Sequence, residues 1–148
     1  MPKIITYPNT DYFTFENVNP KNKRTGDCVV RAISKAMNKP WHEVIDEMIP
    51  YMHKYCSLLN EPTLFTRYLE DQGFRRMKQP RKFDNTKYTG KDFVNYLNDN
   101  YYLENRRIVA NIGWHHTTCF VDEDDGRGYT CHDIWDPTDK TIGNYWIK

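Results

Sequence analysis

Thr25-Gly26-Asp27-Cys28-Val29-Val30-Arg31-Ala32-Ile33-Ser34-Lys35-Ala36-Met37 reads as a turn, then a cysteine, then an amphipathic helix. Val29, Ile33 and Ala36 recur near one face at helical spacing, so this segment is built to pack. The pattern predicts a helix from about Asp27 to Met37, broken by Asn38-Lys39-Pro40. Cys28 therefore falls in the first turn. Backbone N–H groups there lack intrahelical partners, and the positive end of the helix dipole lies beside the sulfur. Both favour the thiolate, which is the nucleophilic form.

Upstream, residues 1–24 are rich in Asn, Pro, Tyr and Thr and read as an extended arm. Downstream, Pro40 opens a second helix through Trp41, Val44, Ile45, Met48 and Ile49, and Pro50 is expected to end or kink it. Glu61-Pro62-Thr63 precedes a third helix that should stop at Gly73. Phe74 to Met77 reads as a short strand and residues 78–89 as a loop. Thr89 is the expected cap of a fourth helix carrying Phe93, Val94, Tyr96 and Leu97. The character then changes. Arg107 to Ile112, Thr117 to Val121, Tyr129 to Trp135 and Tyr145 to Ile147 are β-rich and bounded by turn residues. Helices first and strands second predict one α+β domain over residues 1–148, with the Cys28 helix packed on a C-terminal antiparallel sheet.

A cysteine nucleophile needs a base and a group that orients the base. Among the five histidines, His42 and His53 fall on the second helix, where surface or packing roles are expected. His115 and His116 stand at the mouth of a strand after Gly113-Trp114. Strand alternation puts one of the pair on the site face; His116 shares its face with Thr118 and Phe120 and is the candidate base. Asp125-Gly126 is a hairpin signal. A two-residue turn there pairs 124 with 127; counted back, 116 faces 135, and Asp133 becomes its same-face diagonal neighbour. A one-residue bulge beside Gly128 would bring Asp136 instead. The orienting group is thus Asp133 or Asp136.

The order Asp27-Cys28, strand-borne His116, then Asp136-Pro137 resembles papain-like cysteine peptidases. The layout is closest to the bacterial peptidases that trim double-glycine leaders from bacteriocins. It also resembles small phage and prophage proteins in which Gly26 to Ala32, His116 to Thr118 and Asp133-Ile134-Trp135-Asp136 have counterparts. The resemblance implies a papain-like fold and a cysteine hydrolase, a peptidase or amidase acting on a peptide or protein. It implies Cys28 as nucleophile, His116 as base, Asp133 or Asp136 behind it, and Asn22 as oxyanion donor. Asn22 stands where the leader peptidases carry a glutamine, one methylene longer, and Val29 where they carry a glycine. The alternative reading is a papain-like binding module that engages a host protein.

Composition sets outer limits. The 148 residues include 39% apolar and 15% aromatic side chains, which suffices for a genuine core. Formal net charge is +1, which makes no electrostatic case for nucleic acid or an anionic membrane. No stretch approaches a membrane span. Met1 to Pro8 lacks the apolar core of a signal peptide, so the expected location is the cytoplasm of a bacterial host cell. Cys28, Cys56, Cys119 and Cys131 are expected as free thiols, the last three in the core. No Cys-x-x-Cys pair occurs and no cofactor is expected. His116-x-x-Cys119 and Cys131-His132 form a rival metal-ligand set, but alternation sends each pair to opposite strand faces.

Overall fold

Val29, Val30, Ala32, Ile33 and Ala36 are all buried, and this packed face holds the segment as helix α1, Cys28–Met37. The computed structural model describes residues 5–148, so residues 1–4 of the expected arm lie outside it. Asn38 ends α1 in the left-handed conformation, with φ 53°. Helices α2 (Trp41–Tyr55) and α3 (Pro62–Asp71) follow, and Gly73 at φ 94° turns the chain out of α3. Thr89 caps α4 (Gly90–Asp99) through a reciprocal box with Asp92, satisfying two N-terminal donors.

The strands are β1 (Phe13–Phe15), β2 (Arg75–Met77), β3 (Ile108–Ile112), β4 (His116–Asp122), β5 (Tyr129–Asp133) and β6 (Ile142–Ile147). They form one six-stranded sheet in the order β1-β5-β4-β3-β6-β2. Period-two alternation divides its side chains between two cores. Val109, Cys119 and Trp146 face α1, α2 and α3. Phe13, Ile108, Ala110, Phe120, Cys131 and Tyr145 face α4 on the other side. The result is helices on both faces of a mixed sheet, an α+β architecture.

Three expectations need correction. The sheet is neither wholly antiparallel nor wholly C-terminal. The arm supplies β1, which pairs parallel with β5 through Phe13↔Cys131 and Phe15↔Asp133. Phe13 is fully buried among the α4-side residues, and that burial draws the arm in. Second, α2 does not end at Pro50 but continues to Tyr55. Pro50 is solvent-exposed, so the carbonyl one turn before it can bond water, while Val44 and Met48 hold the helix to the core. Third, Asp125-Gly126 does not make a two-residue turn. Pairing stops at Asp122↔Tyr129, leaving a six-residue loop, 123–128. Asp122 and Asp125 carboxylates accept from the N–H groups of Asp124 and Arg127 at 2.8 and 3.0 Å, so local bonds replace ladder bonds. The loop grows equally on both arms, and the expected register survives as Cys119↔His132 and Phe120↔Cys131.

Replacing Phe13 with Ala should destabilise the protein by about 3–5 kcal/mol, the usual range for a buried phenylalanine. Urea unfolding measures this; a loss below about 1 kcal/mol would show that β1 is only loosely attached.

Candidate active site

Helix α1 lies against β4 and β5, so its N-terminus meets the end of the sheet where β4 begins and β5 stops. His116 opens β4 and makes the last pair with β3, opposite Ile112. Gly113 at φ 62° and His115 at φ 59° shape the turn that delivers it. His116 Nε2 lies 2.7 Å from Asp133 Oδ2, the diagonal relation expected from the hairpin register. With Nε2 so engaged, Nδ1 is the ring nitrogen left for the Cys28 thiol, and thiol and imidazole are close enough to shift each other's pKa. The backbone N–H of Thr117 also lowers the pKa of the sulfur, and both residues line one small cavity. Trp135 leans on the His116 ring with centroids 4.9 Å apart.

These contacts set the protonation chemistry. Burial raises the Cys28 thiol pKa, but hydrogen bonds from His116 and the Thr117 N–H, with the charges of His116 and Arg31, outweigh it and bring the pKa below its ordinary value. Burial likewise lowers the His116 pKa, and the hydrogen bonds to Asp133 and Cys28 reverse that, holding it up at about 9. The two shifts favour one state, thiolate beside imidazolium. Cys119 and Cys131 are the contrast. Both are completely buried, and desolvation pushes both thiols up, out of reach of thiolate chemistry at neutral pH.

Behind the thiol lies a charged lattice. Arg31, one turn along α1, donates Nη1 to Asp27 Oδ1 and lies with Nη2 3.4 Å from Asp133 Oδ1. Asp27 precedes α1 but makes no side-chain cap bond. Its Oδ2 instead accepts from Asn19 Nδ2 and Trp41 Nε1, each at 3.0 Å. The N–H groups of the first turn therefore stay without a side-chain cap beside Cys28. A cavity of only about 10 Å³, lined by Cys28, Arg31, Thr117, Thr118, His132 and Asp133 among others, lies under the thiol. It has room for about one water molecule at most.

The structure thus brings Cys28, His116 and Asp133 together. Asp136 is elsewhere employed: its Oδ1 accepts from the Thr138 N–H and hydroxyl at 2.9 and 2.6 Å, capping the turn before β6. Asn22 is exposed in a left-handed turn at φ 54°, and its N–H donates to the Asn19 carbonyl. Its side chain is not among those around the thiol. Asn19 is the buried asparagine of this loop, and it serves Asp27. His115 is exposed at the turn, and His42 and His53 are exposed on α2. Cys56, expected in the core, is exposed because it ends α2 in the left-handed conformation. Of the rival metal set, Cys119 packs on the α1 side of the sheet and Cys131 on the α4 side.

The chain matches no family model, no curated protein and no solved structure. What the site can do must therefore be argued from its own chemistry. Sequence reasoning overlooked Arg31, Trp135 and Asn19. The spacing of Asp27 and Arg31 at i and i+4 was the available signal for the first. For the second, 135 is the residue that faces 116 in the hairpin register.

Asp133→Asn should lower the His116 pKa, hence raise that of Cys28 and cut the thiolate fraction at neutral pH. The expected loss in Cys28 alkylation rate is roughly tenfold, one pKa unit. Asp136→Asn should leave the rate within about twofold. Iodoacetamide kinetics read by peptide mass spectrometry compare the two; equal effects would put the assignment of Asp133 in error.

Proposed function

We propose that the protein is a papain-like cysteine hydrolase acting on an amide, isopeptide or thioester bond of a peptide or protein. The observation that carries this reading is the approach of a first-turn helix cysteine to an imidazole whose far nitrogen lies 2.7 Å from a buried carboxylate. Nucleophile, base and orienter in that order are what acyl transfer through a covalent intermediate requires.

The Cys28 thiolate attacks the carbonyl carbon, forming a C–S bond and an oxyanion. The Cys28 N–H and its first-turn neighbours, left without a side-chain cap, are the donors available to that oxyanion. The His116 imidazolium gives its proton to the leaving group, and the bond to that group breaks. Water then attacks the thioester while His116 takes its proton. The C–S bond breaks, the acid leaves, and the thiolate–imidazolium pair returns. Asn22 takes no part in this scheme.

A second reading, a papain-like module that binds a host protein without turnover, draws support from the tightness of the space under Cys28, about 10 Å³. A deep substrate pocket does not open there, so substrate would have to lie across the surface.

The discriminating experiment incubates wild type and Cys28→Ala with a proteome-derived peptide mixture and reads cleavage by mass spectrometry. Cleavage by wild type alone is expected, with a bell-shaped pH dependence. The acid limb marks Cys28 ionisation, below a free thiol; the alkaline limb marks loss of the His116 proton near pH 9. Cleavage by neither protein, together with Cys28 alkylation no faster than that of a free thiol of pKa about 8.5, would sink the hydrolase reading.

A further inference from the structure

We propose that Arg31 is a positioning residue of this site. It clamps the carboxylate behind His116 and ties that carboxylate to the helix bearing Cys28. The inference rests on the hydrolase reading for its purpose, but its geometry stands alone.

Arg31, Asp27 and Asp133 are all buried, at 6%, 6% and 4% exposure. Their pairing is not the surface kind that solvent screens. A single carboxylate would suffice to accompany Arg31, and Asp27 at i−4 already provides it. The guanidinium nevertheless reaches a second, Asp133, 102 residues further along the chain. There Nη2 shares Oδ1 with the Ile134 N–H, which donates at 2.8 Å, while Oδ2 is turned to His116. Donors on both oxygens fix the plane of the carboxylate, and with it the direction from which His116 is held.

The other end of the clamp is made stiff at a cost. Aspartate is a favoured helix cap, and a cap bond stabilises the helix. Asp27 forgoes it. Its two oxygens are given to Asn19, Trp41 and Arg31 instead. A loop residue, an α2 residue and an α1 residue thus meet on one carboxylate whose function is to hold the guanidinium. The same arrangement leaves the first-turn N–H groups open next to Cys28. Among the described residues Arg31 Nε has no partner, and the contacts with Asp27, Asp133 and the Thr25 carbonyl all use the terminal nitrogens. A lysine ammonium carries the charge but lacks the planar fork that spans two carboxylates.

The test uses the full chain with Arg31→Lys and Arg31→Met, each checked for folding by urea unfolding. One readout is the downfield proton resonance of the His116 ring N–H held against Asp133. The other is the pH profile of Cys28 alkylation by iodoacetamide. Positioning predicts that folded Arg31→Lys loses or broadens the resonance. Its alkylation midpoint should move up, and its rate at neutral pH should fall about tenfold. Arg31→Met should do the same or more. If both variants keep the wild-type resonance and midpoint and lose only stability, Arg31 is a staple of the fold and the proposal is overturned. Should Arg31→Met fail to fold, Arg31→Lys decides. Ordinary thiol reactivity in wild type would defeat the hydrolase reading, while the resonance would still report on the clamp.

Discussion

A guanidinium withdrawn from water must be surrounded by partners in good geometry, because desolvation of an ion costs several kcal/mol. Arg31 meets that demand at its terminal nitrogens, with Asp27 on one side and Asp133 on the other, while Nε is left without a partner among the described residues. The requirement constrains much of the molecule. The loop carrying Asn19 has to fold back, Trp41 has to start α2 at the right height, and β5 has to end at Asp133 beside the second turn of α1. The thiol–imidazole contact is reached within that frame. A small shift of α1 along the sheet would separate Arg31 from Asp133 and Cys28 from His116 together.

The fold gives its four cysteines three kinds of surroundings. Cys119 and Cys131 sit on neighbouring strands, buried on opposite faces, where desolvation outweighs the Lys35 charge that favours the one anion and the Thr118 hydroxyl that favours the other. Cys56 sits exposed at the end of α2. Cys28 is half-buried at a helix start, with a ring nitrogen and a backbone N–H on its sulfur. Burial alone would make it the least acidic kind of thiol. The donors around it reverse the sign, so reactivity here is a property of the neighbourhood and not of exposure.

What could be read in the sequence follows from periodicity. The Cys28 helix, the α4 cap at Thr89 and the four C-terminal strands have local signals strong enough to place them within a few residues. The diagonal between His116 and Asp133 was legible because register follows from counting back along a hairpin, and the longer loop left the count unchanged. Contacts that depend on tertiary packing were not legible. Phe13-Thr14-Phe15 alternates as a strand does but is too short to be read as one, and its partner β5 lies more than a hundred residues on. Pro50 forbids a helix only where its missing bond cannot be replaced by water, and exposure is not written in the sequence. Asn22 and Asn19 are indistinguishable by type. Which one is buried depends on where Asp27 points.

The order of parts along the chain has its own consequence. Ribosomes make α1 long before β4 and β5, so a nascent chain carries Cys28 without imidazole or carboxylate, and with Arg31 unable to reach Asp133. In that interval the sulfur is an ordinary thiol, mostly protonated at neutral pH. Its nucleophilicity begins when the last strands dock. An unfinished or truncated polypeptide thus carries the thiol but not the groups that acidify it.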